Sequence, residues 1–131
     1  MKYLLDANVV MDWLKGRDRG VRVVDHLLQS PHDVAVNAIT LSEVHSGVND
    51  VDRPKVDHSL SAFEHWTLGP DIARMAGQFR WHYRRLGRPL TIPDVLMAAH
   101  AIEMGATLVT DNIRDFPMPE LSLLRSGDPL P

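Results

Sequence analysis

Short apolar runs alternate with segments of helical periodicity along this 131-residue chain. Between the runs, apolar residues recur every three or four positions, which is typical of amphipathic helices. The runs, which we predict to be strands, cover residues 2–5, 34–36, 66–68, 106–110 and 121–124. Strands that alternate with helices form parallel sheets, because each crossover connection needs room for a helix. The sequence therefore predicts an α/β fold whose functional site lies at the carboxyl ends of the strands.

The segments between the runs contain residues that start or stop helices. The predicted helices cover residues 9–15, 20–30, 40–47, 55–63, 71–86 and 91–104. Two of them begin with the spacing of a capping box, Thr40-x-x-Glu43 and Thr91-x-x-Asp94, in which the threonine caps the helix. Residues 6–8 supply polar side chains that can cap the first helix, and Asn8 is one residue that could do so.

Length and composition exclude several classes of protein. A chain of 131 residues fits one domain with a single core. The absence of cysteine excludes disulfide frameworks, thiolate metal sites and a cysteine nucleophile. No apolar stretch approaches the roughly 20 residues of a membrane span, and the N-terminus is a poor signal peptide, so we expect a cytoplasmic protein with no membrane partner. With a formal charge of -3, binding to nucleic acid requires a local basic patch.

Three acidic residues, Asp6, Glu43 and Asp94, lie where apolar runs give way to helices. Each could simply cap a helix, because a carboxylate at a helix start accepts hydrogen bonds from free amides. Asp6 is the least easily explained in this way, since it follows a strongly apolar strand directly. If the fold brings the three together, their charges repel and raise one another's pKa unless a cation compensates. The pattern therefore indicates a metal site or a proton-sharing site.

The order and separation of these motifs resemble those of the PIN-domain ribonucleases, in particular the toxin component of VapBC-type toxin–antitoxin pairs. The opening LLDANVVMDWLKG is similar to that family's strand, Asp, x, Asn and helix. The segment ITLSEVHSG is similar to its second motif, and GRPLTIPDVLMAAHAIEMGATLVTDNIRDF to its longest. The resemblance implies a PIN-like α/β/α sandwich, with a central, mostly parallel sheet of four to five short strands. It also implies one PIN-like domain over residues 1–131.

The resemblance implies an endoribonuclease that cleaves structured cellular RNA with Mg²⁺ or Mn²⁺. By matching positions, Asp6 and Asp94 would be the principal metal ligands, and Glu43 would complete the acidic pocket. Mg²⁺ prefers a few carboxylates plus waters and phosphate oxygens. A metal-activated water would then attack phosphorus, without a covalent enzyme intermediate.

The fourth catalytic position departs from the family pattern. The family's fourth acid, where present, lies two residues after the threonine, which is Asn112 in this chain. Asp111 is the alternative, although adjacent residues of an extended segment face opposite sides. We expect Asp115 to cap or pair within its own loop.

Arginines cluster at Arg80, Arg84, Arg85 and Arg88, just before Asp94. Because the guanidinium fork suits phosphate recognition, Arg85 and Arg88 are candidate substrate contacts, together with Asn8. The neighbouring Trp81 to Tyr83 run could stack on bases, although Tyr83 also fits the core. The resemblance further implies a small antitoxin partner and a homodimer, and helices in residues 40–63 offer an apolar face for one of them.

Two other functions remain open from the sequence. A phosphatase could use Asp6 as a nucleophile, but that chemistry needs Asp-x-Asp and a later lysine. This chain has Asp6-Ala7-Asn8 and no lysine after Lys55. A catalytically inactive PIN-like binding module is the second alternative, and the retention of all three acids weakens it.

Overall fold

The structure is a computed structural model that describes residues 1–131, with five strands and six α-helices. The strands are β1 (Lys2–Leu5), β2 (Asp33–Asn37), β3 (Glu64–Trp66), β4 (Thr107–Val109) and β5 (Ser122–Leu124). The helices are α1 (Ala7–Leu14), α2 (Asp18–Gln29), α3 (Ala38–Ser46), α4 (Arg53–Leu60), α5 (Pro70–Arg85) and α6 (Ile92–Glu103). None of these helices has the length and apolar character that crossing a membrane requires.

All five strands form one parallel sheet in the order β3-β2-β1-β4-β5. The chain moves outward from β1 to β2 and β3, and then returns to the other side of β1 as β4 and β5. The connections therefore diverge between β1 and β4, and such a switch point leaves a crevice at the carboxyl ends of the strands. The predicted parallel α/β sheet is confirmed.

Helices cover both faces of the sheet. In β1, Tyr3 and Leu5 belong to an apolar core that includes residues of α1 to α4, while Leu4 belongs to a second core with α5 and α6. This alternation follows from the period of two along a strand. The fold is thus the three-layer α/β/α sandwich that the resemblance implies.

Several predicted boundaries differ from the structure by two or three residues, including both ends of α4 and the starts of α1, α2 and α3. The strand predicted at residues 66–68 lies two residues earlier, because β3 pairs with β2 in a register that aligns Ala35 with Glu64 and Asn37 with Trp66. The first helix begins at Ala7 rather than at Val9. Asp6, not Asn8, is its cap.

One of the two predicted capping boxes is also wrong. α3 begins before Thr40, because the side chain of Asn37 caps it by accepting hydrogen bonds from the amides of Ile39 and Thr40 at 3.0 and 3.1 Å. The buried hydroxyl of Thr40 instead donates to the backbone oxygen of Leu5. At α6 the threonine cap is confirmed, since the Thr91 hydroxyl accepts from the amide of Asp94 at 3.3 Å.

Candidate active site

Asp6 lies at the carboxyl end of the central strand, and the residue is only 7% exposed. Its backbone amide donates to Val109 at the end of β4, which fixes Asp6 between β1 and β4. Its Oδ1 caps α1 by accepting from the amide of Ala7 at 2.9 Å. Burial is the main cause that raises the pKa of Asp6, and the charge of Asp115 raises it further. Hydrogen bonds, chiefly from Thr110, act in the opposite direction.

A polar clamp holds the second carboxylate oxygen of Asp6. Oδ2 accepts hydrogen bonds from Nδ2 of Asn8 at 2.9 Å and from the hydroxyl of Thr110 at 2.7 Å. Nδ2 of Asn8 also contacts the Thr110 hydroxyl, and Oδ1 of Asn8 accepts from the amide of Asp111. The side-chain amide of Asn8 therefore joins the loop after β4 to Asp6. The role of Asn8 as a substrate contact stays a prediction.

Glu43 and Asp94 approach Asp6 from two different helices. Asp94 lies half-buried in the first turn of α6, and Glu43 lies exposed on α3. Burial is the main cause that raises the pKa of Glu43, and the charges of Asp6 and Asp94 add to it. The pKa of Asp94 is also raised mainly by burial, with contributions from Asp115 and Asp6, against a hydrogen bond to Thr91. The fold thus brings the three predicted acids into electrostatic contact.

Asp115 is a fourth acid at this cluster. It ends a short 3-10 turn, Ile113–Asp115, and its charge raises the pKa of both Asp6 and Asp94. Its carboxylate has no hydrogen-bond or ion-pair partner, so the prediction that it caps or pairs within the loop is wrong. One feature of the sequence could have indicated this position. Asp115 lies in the loop after β4, and this loop leaves the sheet at the same edge as Asp6.

The two residues predicted for the fourth position have other surroundings. The carboxylate of Asp111 accepts from the amide and hydroxyl of Ser126 at 2.8 to 3.0 Å, so it faces the C-terminal segment. Asn112 is exposed, and its backbone amide donates to the Thr110 hydroxyl. Neither Asp111 nor Asn112 contributes to the raised pKa of the three acids.

The charges of this cluster are not compensated by protein cations. None of the six ion pairs in the structure includes Asp6, Glu43, Asp94 or Asp115. No three acidic or histidine side chains form a group that could hold a metal ion. Mg²⁺ needs only one or two carboxylates, because it keeps several waters rather than filling an all-protein cage. The hard oxygen donors and the uncompensated charge therefore fit a divalent cation.

A buried polar contact joins the helices that carry Glu43 and Asp94. The Oδ1 atom of Asn37 caps α3, so its Nδ2 must be the donor to Nδ1 of His100 on α6, at 2.9 Å. The proton of neutral His100 then lies on Nε2, which is buried without a partner. Burial lowers the pKa of His100 and keeps the ring neutral. This contact links the N-terminal cap of α3 to α6.

The two candidate arginines lie at the C-terminal end of α5 and just beyond it. The guanidinium carbon of Arg85 lies 3.9 Å from the ring centroid of Trp81. Arg88 donates to the backbone oxygen of Arg114, one residue before Asp115. Arg88 therefore contacts the loop that carries the fourth acid.

Comparison with known proteins is consistent with this geometry. The sequence pattern of the PIN domain matches residues 3–117. Ribonuclease VapC19 of Mycobacterium tuberculosis is 32% identical over 116 residues, covering 88% of this chain and 92% of that protein. The tRNA(fMet)-specific endonuclease VapC of Shigella flexneri is 28% identical over 123 residues, covering 88% and 90%. VapBC2 from Rickettsia felis, solved with a DNA fragment from its promoter, superposes with a TM-score of 0.83 at 28% identity, covering 95% of this chain and 98% of that one.

Proposed function

Because this chain belongs to the PIN-domain family, as a VapC-type ribonuclease toxin of a toxin–antitoxin system, we propose that it is a Mg²⁺-dependent endoribonuclease acting on structured cellular RNA. Mn²⁺ is the alternative cation. The proposal rests on one observation: Asp6, Glu43 and Asp94 converge with raised pKa values and without any cation partner. We further propose that the whole chain forms one PIN domain, and that it acts in the cytoplasm on its RNA substrate.

The residues of the site have different proposed roles. Asp6 and Asp94 would hold the cation, and Glu43 and Asp115 would add negative charge around it. Asn8 and Thr110 keep the Asp6 carboxylate fixed before substrate arrives, which avoids reorganisation during the reaction. A bound divalent cation supplies Lewis acidity toward the phosphodiester and lowers the pKa of water. Both oxygens of Asp6 accept hydrogen bonds, an arrangement that suits a fixed ligand better than a free phosphatase nucleophile.

The proposed substrate is structured RNA, for which transfer RNA is a suitable probe, since the Shigella relative is named for a transfer RNA. Purified protein should cleave total transfer RNA with Mg²⁺, and cleavage should stop with EDTA or in the Asp94→Asn variant. Asp71→Asn is a matched control, because Asp71 occupies the first turn of α5 as Asp94 does in α6, but is exposed and paired with Arg74. Equal cleavage in all conditions would show that the proposed function is wrong.

We place the antitoxin in a groove between α1, α4 and the end of α3. The groove has a volume of about 340 Å³, and its apolar lining consists of Met11, Leu14, Val44, Val48 and Val56. Solved relatives are complexes of a toxin with its antitoxin, which supports a protein occupant. The Val56→Glu variant should lose a co-expressed antitoxin during purification. Val51→Glu should retain it, because Val51 is 87% exposed and lies outside the groove.

We also propose a homodimer that aligns two sites. Sedimentation of the free protein at micromolar concentration tests it, and a monomer would contradict it. If Val56→Glu instead dissociates the dimer and leaves antitoxin binding intact, the groove belongs to the second copy.

A further inference from the structure

The outer face of α5 carries an aromatic side chain that the core does not use. Trp81 is 57% exposed, although tryptophan side chains are highly buried on average. The guanidinium of Arg85, one turn later, covers one side of its ring at 3.9 Å. On the other side along the helix, Arg74, Gly77 and Gln78 line a shallow hollow together with Trp81. Gly77 has no side chain to fill this hollow, so the indole is accessible from there.

We propose that Trp81 and Arg85 form a stacking site for an unpaired base of the RNA, with the arginines around them binding the adjoining phosphates. This inference rests on the proposed ribonuclease function and names a substrate contact outside the carboxylate cluster. An indole stacks on any base because every base has a π face. A guanidinium on the same ring adds cation–π stabilisation and a fork that matches phosphate oxygens.

The charge distribution supports a polyanionic occupant. The chain has a net charge of -3 and only three lysines, at positions 2, 15 and 55. Residues 72–93, in contrast, contain five arginines and no acid. A protein whose carboxylate cluster repels phosphate needs such a local positive surface to hold RNA. The same charges disfavour a second copy on this face, since two arginine-rich helices would repel each other.

The stacking pair is also connected to the acidic site. Nε of Arg80 donates to the backbone oxygen of Leu90, four residues before Asp94. Arg88 donates to the backbone oxygen of Arg114, next to Asp115. The C-terminal end of α5 is thus attached to both segments that carry these acids.

Fluorescence anisotropy with labelled 12-nucleotide oligoadenylate and oligouridylate tests the stacking site in an Asp94→Asn background, where cleavage does not interfere. Trp81→Ala should weaken binding by about fivefold or more, the range expected for loss of one stacked base. Trp81→Phe should recover most of it. Arg85→Ala should weaken binding and lower the salt slope by about 0.7, the value for one phosphate of a single strand. Arg85→Lys should restore that slope.

Two control variants lie on the opposite side of the sandwich. Arg53→Ala removes one exposed arginine of α4, and Val51→Ala shortens an exposed apolar side chain. Both should bind the oligonucleotides as the parent does. In protein that retains Asp94 and can cleave RNA, Trp81→Ala should raise KM for transfer RNA more than it lowers kcat, because the base stacks on Trp81 before the chemical step.

Unchanged affinity in Trp81→Ala, or an equal loss in Arg53→Ala, would overturn the stacking site. Sedimentation that shows Trp81→Ala dissociating a dimer, with affinity unchanged, would assign the face to a second copy and also overturn it. These outcomes are distinct from failure of the ribonuclease proposal. That failure appears as equal cleavage by wild type and Asp94→Asn, whatever the oligonucleotide affinities.

Discussion

Thr110 donates a hydrogen bond of 2.7 Å from its hydroxyl to Oδ2 of Asp6, although the two residues are 104 positions apart. Each follows one of the two strands at the switch point of the sheet. The same hydroxyl accepts from Nδ2 of Asn8 and from the amide of Asn112. One buried hydroxyl therefore fixes the first acid of the site and the start of the loop that carries the fourth.

Replacing Thr110 by valine should damage both stability and the site. Valine has nearly the same shape but leaves buried polar partners unsatisfied, so the free energy of unfolding should fall by about 1 to 3 kcal/mol. The lost hydrogen bond normally lowers the pKa of Asp6. The acid limb of the RNA-cleavage profile should therefore move to higher pH. Thr110→Ser should behave as wild type.

Thr40→Val is the matched control, because Thr40 is equally buried and its hydroxyl donates to the backbone of Leu5 instead of to an acid. It should lower stability without moving the pH profile. A Thr110→Val variant with an unshifted profile would contradict the role of this hydrogen bond.

The acidic cluster should make the metal-free protein less stable as pH rises. Asp6, Glu43 and Asp94 have folded-state pKa values above their ordinary values of 3.8, 4.5 and 3.8. Between the ordinary pKa values and the raised ones, the folded protein therefore binds more protons than the unfolded chain. The free energy of unfolding falls as pH rises through this range. Asp94→Asn removes one of the repelling charges. In EDTA at pH 7, its Tm should exceed that of wild type by about 2 °C.

Thermal unfolding followed by circular dichroism measures this effect. The difference between wild type and Asp94→Asn should shrink as pH falls through 3.8, the ordinary pKa of Asp94, because the carboxyl group then becomes protonated in the unfolded chain as well. Mg²⁺ should raise the Tm of wild type more than that of the variant. Asp71→Asn should show neither behaviour. A lower Tm for Asp94→Asn in EDTA would mean that the carboxylate stabilises the metal-free fold.

Asp115→Asn should weaken the response to Mg²⁺. The unpaired carboxylate of Asp115 adds negative charge beside Asp6 and Asp94, and its loss should raise the Mg²⁺ concentration for half-maximal cleavage by about tenfold, as for other residues that support a metal site. Asp111→Asn should lower stability, since Asp111 holds the buried Ser126, while leaving the Mg²⁺ midpoint unchanged. A larger Mg²⁺ effect in Asp111→Asn would assign the fourth position to Asp111.

Gly20→Ala tests the close crossing of α1 and α2. A Cβ atom at Gly20 would lie 2.6 Å from Cβ of Asp12 and 2.7 Å from the backbone nitrogen of Trp13. Because the backbone cannot move aside as a flexible side chain can, the free energy of unfolding should fall by about 1 to 3 kcal/mol or more. Gly77→Ala is the control, since nothing lies near its Cβ position and the better helix propensity should add up to about 1 kcal/mol. Urea unfolding curves distinguish the two, and equal stabilities would contradict the crossing.

The sequence by itself determined those features that depend on neighbouring residues. The apolar runs, the α5 periodicity and the Thr91 cap depend on spacings of two to four positions, and the structure confirms them. Asp6 and Asp94 were visible at helix starts for the same reason, whereas Glu43 lies in the second half of α3 rather than at the predicted start. The predicted boundaries are less accurate where pairing with another strand sets the register, as for β3 against β2.

Only the tertiary structure decided which polar groups meet. Asn37 rather than Thr40 caps α3, because Thr40 finds a partner in Leu5 on the neighbouring strand. Asp111 faces Ser126, and Asp115 takes the place beside the acids, because a 3-10 turn and long-range hydrogen bonds orient that loop. The physical reason is the same in each case. A polar side chain binds whichever partner the packing of distant segments brings to it, and the local sequence contains no record of that partner.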